Sequence, residues 1–194
     1  MSTDRPAGEA AVIAFRDAAE FEVWLDAYAD LQVGVWLKIA KKGSGVQSLT
    51  DAEAVDVGLC FGWISGQRKS HDETYYLQKY VPRRPHSRWS QINVARADEL
   101  ITAGRMRPRG LAEVESAKAD GRWAAAYQSQ RNATVPPDLT AALASSPPAA
   151  RAFDSYTKTQ RYAVILNLIT ARTPAARAAQ LRKTMTALEA ANAE

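Results

Sequence analysis

The sequence predicts an α+β fold: a small antiparallel sheet packed with helices, followed by an all-helical C-terminal module. Three observations carry this. Short β-like runs at 33–39, 67–70 and 74–81 are bounded by glycine or polar turns, the pattern of strands and hairpins. Segments with apolar residues at helical spacing lie between and after them. Beyond a polar stretch ending in Pro136-Pro137, aromatic residues thin out and alanine rises. The domains expected are an N-terminal arm over 1–14, an α+β domain over 15–130 and a helical domain over 131–194.

The elements follow in order. Residues 1–14 are Ala-rich and weakly patterned, which predicts a loose arm. From Asp17 to Asp30, Phe21, Trp24, Leu25 and Tyr28 recur at i, i+3, i+4 and i+7, one apolar helical face. Val33 to Ile39 reads as a strand closed by Lys41-Lys42-Gly43-Ser44-Gly45. That turn is not a phosphate loop of the Walker kind, because its lysines precede the glycines. Thr50-Asp51-Ala52-Glu53 is a capping box opening a nearly all-apolar, hence buried, helix through Cys60 and Phe61. Gly62 to Gly66 breaks it. A hairpin follows, with His71-Asp72-Glu73 at its tip. Ser87 is expected as the N-cap of a helix running from Arg88 to Ala103, with Gly104 ending it. A basic connector, Arg105 to Gly110, leads to a helix over Leu111–Asp120 and an aromatic turn over Trp123–Tyr127. In the C-terminal module, helices are expected from Asp138, from Ser146-Pro147-Pro148 and over Thr159–Ala171, where Tyr162, Ile165, Leu166 and Ile169 form a stripe. A last helix after Thr173-Pro174 sets Leu181, Met185 and Leu188 on one side and Arg177, Arg182 and Lys183 on the rest.

Charge is unevenly distributed. The net charge is +4, yet residues 1–78 hold 7 Lys/Arg against 12 Asp/Glu, and residues 79–109 hold 8 against 2. The positive field is therefore local. A single cysteine, Cys60, excludes an intrachain disulfide and a multi-cysteine zinc site. No apolar run reaches the ~20 residues of a membrane span. The first residues lack a basic stretch followed by an apolar one, so a cytoplasmic location is expected.

The stretch Tyr80–Asn93, YVPRRPHSRWSQIN, is the candidate site. Pro82 and Pro85 stiffen it, and Arg83, Arg84 and Arg88 cluster close to an expected helix start, where cations are disfavoured unless an anion shares the space. The ligand-binding set is Trp63, Tyr80, Arg83, Arg84, Ser87, Arg88, Trp89 and Asn93: indoles and a phenol as walls, guanidinium forks and small polar groups gripping a carboxylate or phosphate. A structural salt-bridge knot and a merely solvated basic face remain open beside that reading. For an enzyme, Cys60, His71, His86, Asp72 and Glu73 are the candidates for proton or nucleophile work, with no partner evident in sequence. The two histidines show no metal-ligand spacing, and no cofactor is implied. A nucleic-acid role, resting on 79–109 and the last helix, is disfavoured by the small net charge. The partner expected is a small anionic ligand or an acidic protein.

The motifs LCFGWISG, YVPRRPHSRWSQIN, LITAGRMRPRGL and AKADGRWAAAY resemble the YdeI/OmpD-associated, or bacteriocin-protection, family. The segments PPDLTAAL and AFDSYTKTQRYAVILNLITARTPAARAAQLRKTM are similar to its small helical OmdA-type domain. The similarity spans roughly 20–190. It implies a role in bacterial tolerance of bacteriocins or cationic peptides, with an outer-membrane porin as proposed partner in some members, and no catalytic residues to carry over. Ser65 stands where that family commonly has Asp, and Arg109 where a small residue is usual.

Overall fold

The computed structural model describes residues 9–130 and 132–191, so positions 1–8 of the expected arm lie outside the described residues. The chain forms two compact units. One is built from residues up to Ser87 together with Ala95–Ser116, the other from Arg88–Val94 together with the chain from Ala117 onward.

The first unit holds a four-stranded sheet: β1 (Ala11–Ile13), β2 (Val35–Ala40), β3 (Trp63–Ser70) and β4 (Tyr75–Pro82), in the order β1-β2-β4-β3. β2, β4 and β3 are antiparallel, as the alternating patterns require. β1 corrects the expected arm. Ala11–Ile13 pairs parallel to Val35–Leu37, with α1 (Ala18–Tyr28) as the crossover that a parallel pair needs. The sheet is therefore mixed. The expected break at Gly62–Gly66 is shorter than read: Gly62 alone turns the chain, at φ +71°, and β3 begins at Trp63. An extra residue on β3 between Ser65 and Arg68 makes a bulge. Buried Gln78 holds it, its Nε2 donating to the Gly66 and Gln67 carbonyls and its Oε1 accepting from Arg68 Nε.

Alternation along β2 sends Val35, Leu37 and Ile39 into the core, where α1 supplies Phe21 and Leu25. Asp17 caps α1, accepting from Glu20 N at 3.0 Å. Tyr28, expected on the apolar face, is exposed. The Thr50–Glu53 capping box forms and starts α2 (Asp51–Cys60). Gly110 lies against the end of α2 so closely that a Cβ there would sit 2.2 Å from the Cys60 carbonyl oxygen.

Ser87 is not the helix cap. It closes a turn, its Oγ accepting from Arg84 N at 2.9 Å and its N–H donating to the Arg84 carbonyl. Ser90 takes the cap position, accepting from Asn93 N at 3.2 Å, and α3 runs over Gln91–Thr102. Beyond it, Gly104 (φ +66°) donates to Ile101 and Arg105 to Leu100, the reciprocal pair of a Schellman ending. α4 spans Pro108–Ala119.

In the second unit, α5 (Pro137–Ala144), α6 (Pro147–Ser155), α7 (Lys158–Ile169) and α8 (Pro174–Ala190) enclose a core of Leu139, Ala149, Ala152, Phe153, Leu168 and Leu188. Leu181 and Met185 pack against it as expected. On α7 the buried residues are Ile165 and Leu168. Leu166, expected in the stripe, is only half-buried. Arg177, expected on the solvated face of α8, instead donates from Nε and Nη2 to the Asp138 carboxylate at 2.7 and 2.9 Å.

Candidate functional site

The residues expected to form one anion site have different environments. Trp63 and Tyr80 belong to the first unit and are core residues, 0% and 1% exposed. Trp63 donates its Nε1–H to the Ala29 carbonyl at 3.1 Å and meets Trp24 edge-on. Tyr80 meets Phe21 edge-on, and burial pushes its phenol well above the usual range. Neither can wall an open hollow. Arg83 is also buried, its N–H donating to the Gly62 carbonyl, whereas Arg84 is exposed and Ser87 half-exposed. In the second unit Trp89 is buried against Trp123, ring centroids 4.8 Å apart. Arg88 is exposed and donates to Asn167 Oδ1 at 3.2 Å. Asn93 is half-buried in the first turn of α3.

The basic connector is tied down inside the first unit. Arg96 donates two hydrogen bonds to Asp56, a carboxylate only 8% exposed. Arg105 lies 3.8 Å from Asp56 and 3.3 Å from Glu22; Arg107 lies 3.8 Å from Glu22. Arg109 pairs with Asp30. Glu22, Asp30 and Asp56 of the acidic N-terminal third thus offset part of the positive charge of the middle segment. The cations of these ion pairs are Arg96, Arg105, Arg107 and Arg109, a different set from the Arg83, Arg84 and Arg88 of the expected knot.

The catalytic candidates have different environments as well. Cys60 is buried, and burial raises its thiol pKa, the opposite of what a nucleophile needs. His71 and His86 are exposed. His71 Nε2 lies 3.6 Å from Asp72, and the Asp72 carboxylate is occupied by the N–H groups of Thr74 and Tyr75. Among the described residues no group of three His, Cys, Asp or Glu is placed to hold a metal ion.

Two other features of the first unit bear on ligand binding. One is a shallow cleft of about 450 Å³ between the Lys41–Val46 loop, the start of α2, Arg68 and Tyr76. Its cations are largely engaged: Arg68 by Asp51 and Gln78, Lys41 by the Asp72 carbonyl.

The other is the sheet face turned away from Val35, Leu37 and Ile39. Pairing sets Trp36 opposite Lys79, Lys38 opposite Leu77, Leu77 opposite Lys69 and Ala40 opposite Tyr75. By strand alternation, Trp36, Lys38, Tyr75, Leu77, Lys79 and Lys69 share one face. Lys69 and Lys79 hold their ammoniums 4.4 and 5.3 Å from the Trp36 ring centroid, and Lys38 sits 4.2 Å from that of Tyr75. To reach Trp36, Lys69 crosses Leu77, which is 3% exposed. Burial, and then the Lys69 charge, lower the Lys79 pKa. Asp72, at the hairpin tip, lies 3.9 Å from Lys38. No residue of this face was among the expected site residues. The signal was available in the strand alternation, which puts Trp36 and Lys38 on the side opposite Leu37.

Among the described residues no helix is long and apolar enough to cross a membrane. No curated protein and no solved structure matches the chain. Residues 132–191 match the family OmdA, described as bacteriocin-protection, YdeI or OmpD-associated, which bears out the resemblance for the C-terminal region. The N-terminal region, read from its motifs as part of the same family, matches a separately described one over residues 13–113. The chain belongs to the family described as domain of unknown function (DUF8412), and it carries an OmdA region at its C-terminal end.

Proposed function

We propose that the chain is a binding module for an anionic partner, engaged through the lysine–aromatic face of the sheet. One observation carries this reading: Lys69 and Lys79 share the Trp36 indole while Lys38 sits on Tyr75. Like charges gathered on one face repel one another, and an anion laid between them relieves that repulsion. The role this would serve is tolerance of bacteriocins or cationic peptides, supported by the description of the C-terminal family.

The test is binding of fluorescein-labelled inorganic polyphosphate to the full chain, read by anisotropy. Wild type should bind, and a variant carrying Lys38→Gln, Lys69→Gln and Lys79→Gln should lose most of the affinity. Glutamine keeps much of the aliphatic stem over Leu77 and Trp36 while removing the charge. Equal binding by the two proteins, with both folded, would sink the proposal.

A further inference from the structure

We infer that the anion taken by this face is single-stranded nucleic acid, with Trp36 as a stacking platform for a base and Lys38, Lys69 and Lys79 as its phosphate contacts. The inference rests on the binding reading above and adds the class of partner.

Trp36 is on β2 and Tyr75 on β4, the two central strands of a four-stranded sheet. Both residues are half-buried on one face, with lysine ammoniums over their rings. Tyr75 stands opposite Ala40, four residues along β2 from Trp36, a separation of roughly 13 Å along the strand. Two aromatic rings on one sheet face, with cations between and beside them, match what an extended single strand needs: π-faces for bases and positive charge along the backbone. An acidic peptide brings no π-faces to stack on the two rings once the lysines turn to its carboxylates. A duplex hides its base faces, so stacking would be lost.

Charge supports the same assignment. The lysines come from three strands around Trp36: Lys38 on β2, Lys79 on β4 and Lys69 on β3. Asp72, at the hairpin tip, lies near Lys38, 3.9 Å away. In the free protein Lys69 and Lys79 rest on the indole. Such exposed cation–π contacts are weak next to base stacking, so the ammoniums can turn to phosphates and leave the ring to a base.

The experiment compares three labelled polyanions on the full chain: oligothymidylate, inorganic polyphosphate and polyglutamate. Oligothymidylate should bind most tightly. Trp36→Ala should weaken it about tenfold, a larger factor than it takes from polyphosphate, while Trp36→Phe should keep most of the oligothymidylate affinity. A thermal melt of each variant confirms that it is folded. If oligothymidylate binds no better than polyphosphate, or ignores Trp36, nucleic acid is overturned and the lysine-face reading stands. If polyglutamate binds best, the partner is an acidic polypeptide and the inference falls. If none of the three binds, the underlying reading falls with it.

Discussion

Arg96 on α3 grips Asp56 on α2 with both arms of a fork, Nε on Oδ1 and Nη2 on Oδ2, each at 2.5 Å. The carboxylate is buried and the guanidinium half-exposed. Removing the cation therefore leaves a buried charge with Arg105, 3.8 Å away, as its remaining ion-pair partner among the described residues, whereas removing the charge of the acid leaves a neutral acceptor.

Arg96→Ala should accordingly lower the thermal midpoint more than Asp56→Asn does. Both should exceed Arg16→Ala, whose Glu20 partner is a solvated i,i+4 contact of the kind that contributes little. Differential scanning calorimetry of the three variants checks the order. Equal effects would mean that Asp56 is not the group that needs neutralising.

Gly110 should tolerate no side chain. Its substituent would meet the Cys60 carbonyl oxygen at 2.2 Å, a backbone atom that cannot swing aside. Gly110→Ala is expected to cost about 1–3 kcal/mol or more, measured by urea unfolding. Gly43→Ala makes a useful contrast: a Cβ there meets nothing within 4 Å, and its cost comes only from the positive φ of 84°.

The C-terminal unit should lose stability in acid through Asp138. The Arg177 hydrogen bonds hold this carboxyl below its ordinary range. A folded-state pKa below the unfolded one means stability that is present above the unfolded value, about 4, and lost as pH falls through the folded value. The midpoint difference between wild type and Asp138→Asn should thus be open at pH 7 and close below about pH 4. A gap that persists at low pH would assign the effect to packing.

In the same unit, Leu168→Ala should cost about 2–5 kcal/mol, because Leu168 is fully buried in the helical core. Leu166→Ala should cost less, since that side chain is half-buried. Chemical denaturation separates the two.

That last pair shows where sequence reasoning stops. Local signals were legible: the Thr50–Glu53 box, the strand at Val35–Ala40, the helix end at Gly104, and Leu188 on the inner side of α8 all act within one turn or one strand. Leu166 and Leu168 are both apolar and two residues apart, so the stripe on α7 depended on which neighbours the helix meets. Ser87 and Ser90 are both good caps, and the choice was made by the Arg84–Ser87 turn. Asp56 and Arg96 are 40 residues apart, and nothing local pairs them. The site was the least legible part. Trp63, Tyr80, Trp89 and Trp36 are all aromatic residues in strands or beside them, and pleat direction alone buries the first two and opens the last. The sequence placed the positive charge in the arginines of 79–109, whereas much of that charge is spent on Glu22, Asp30 and Asp56.

The most direct measurement of the binding claim is the salt dependence of polyphosphate affinity. Three lysine contacts predict a log–log slope near −2 for a single-stranded polyanion between about 50 mM and 200 mM salt, falling by about 0.7 with each of Lys38→Gln, Lys69→Gln and Lys79→Gln. A slope that is unchanged across those variants would contradict the assignment of the sheet face as the place where the anion sits.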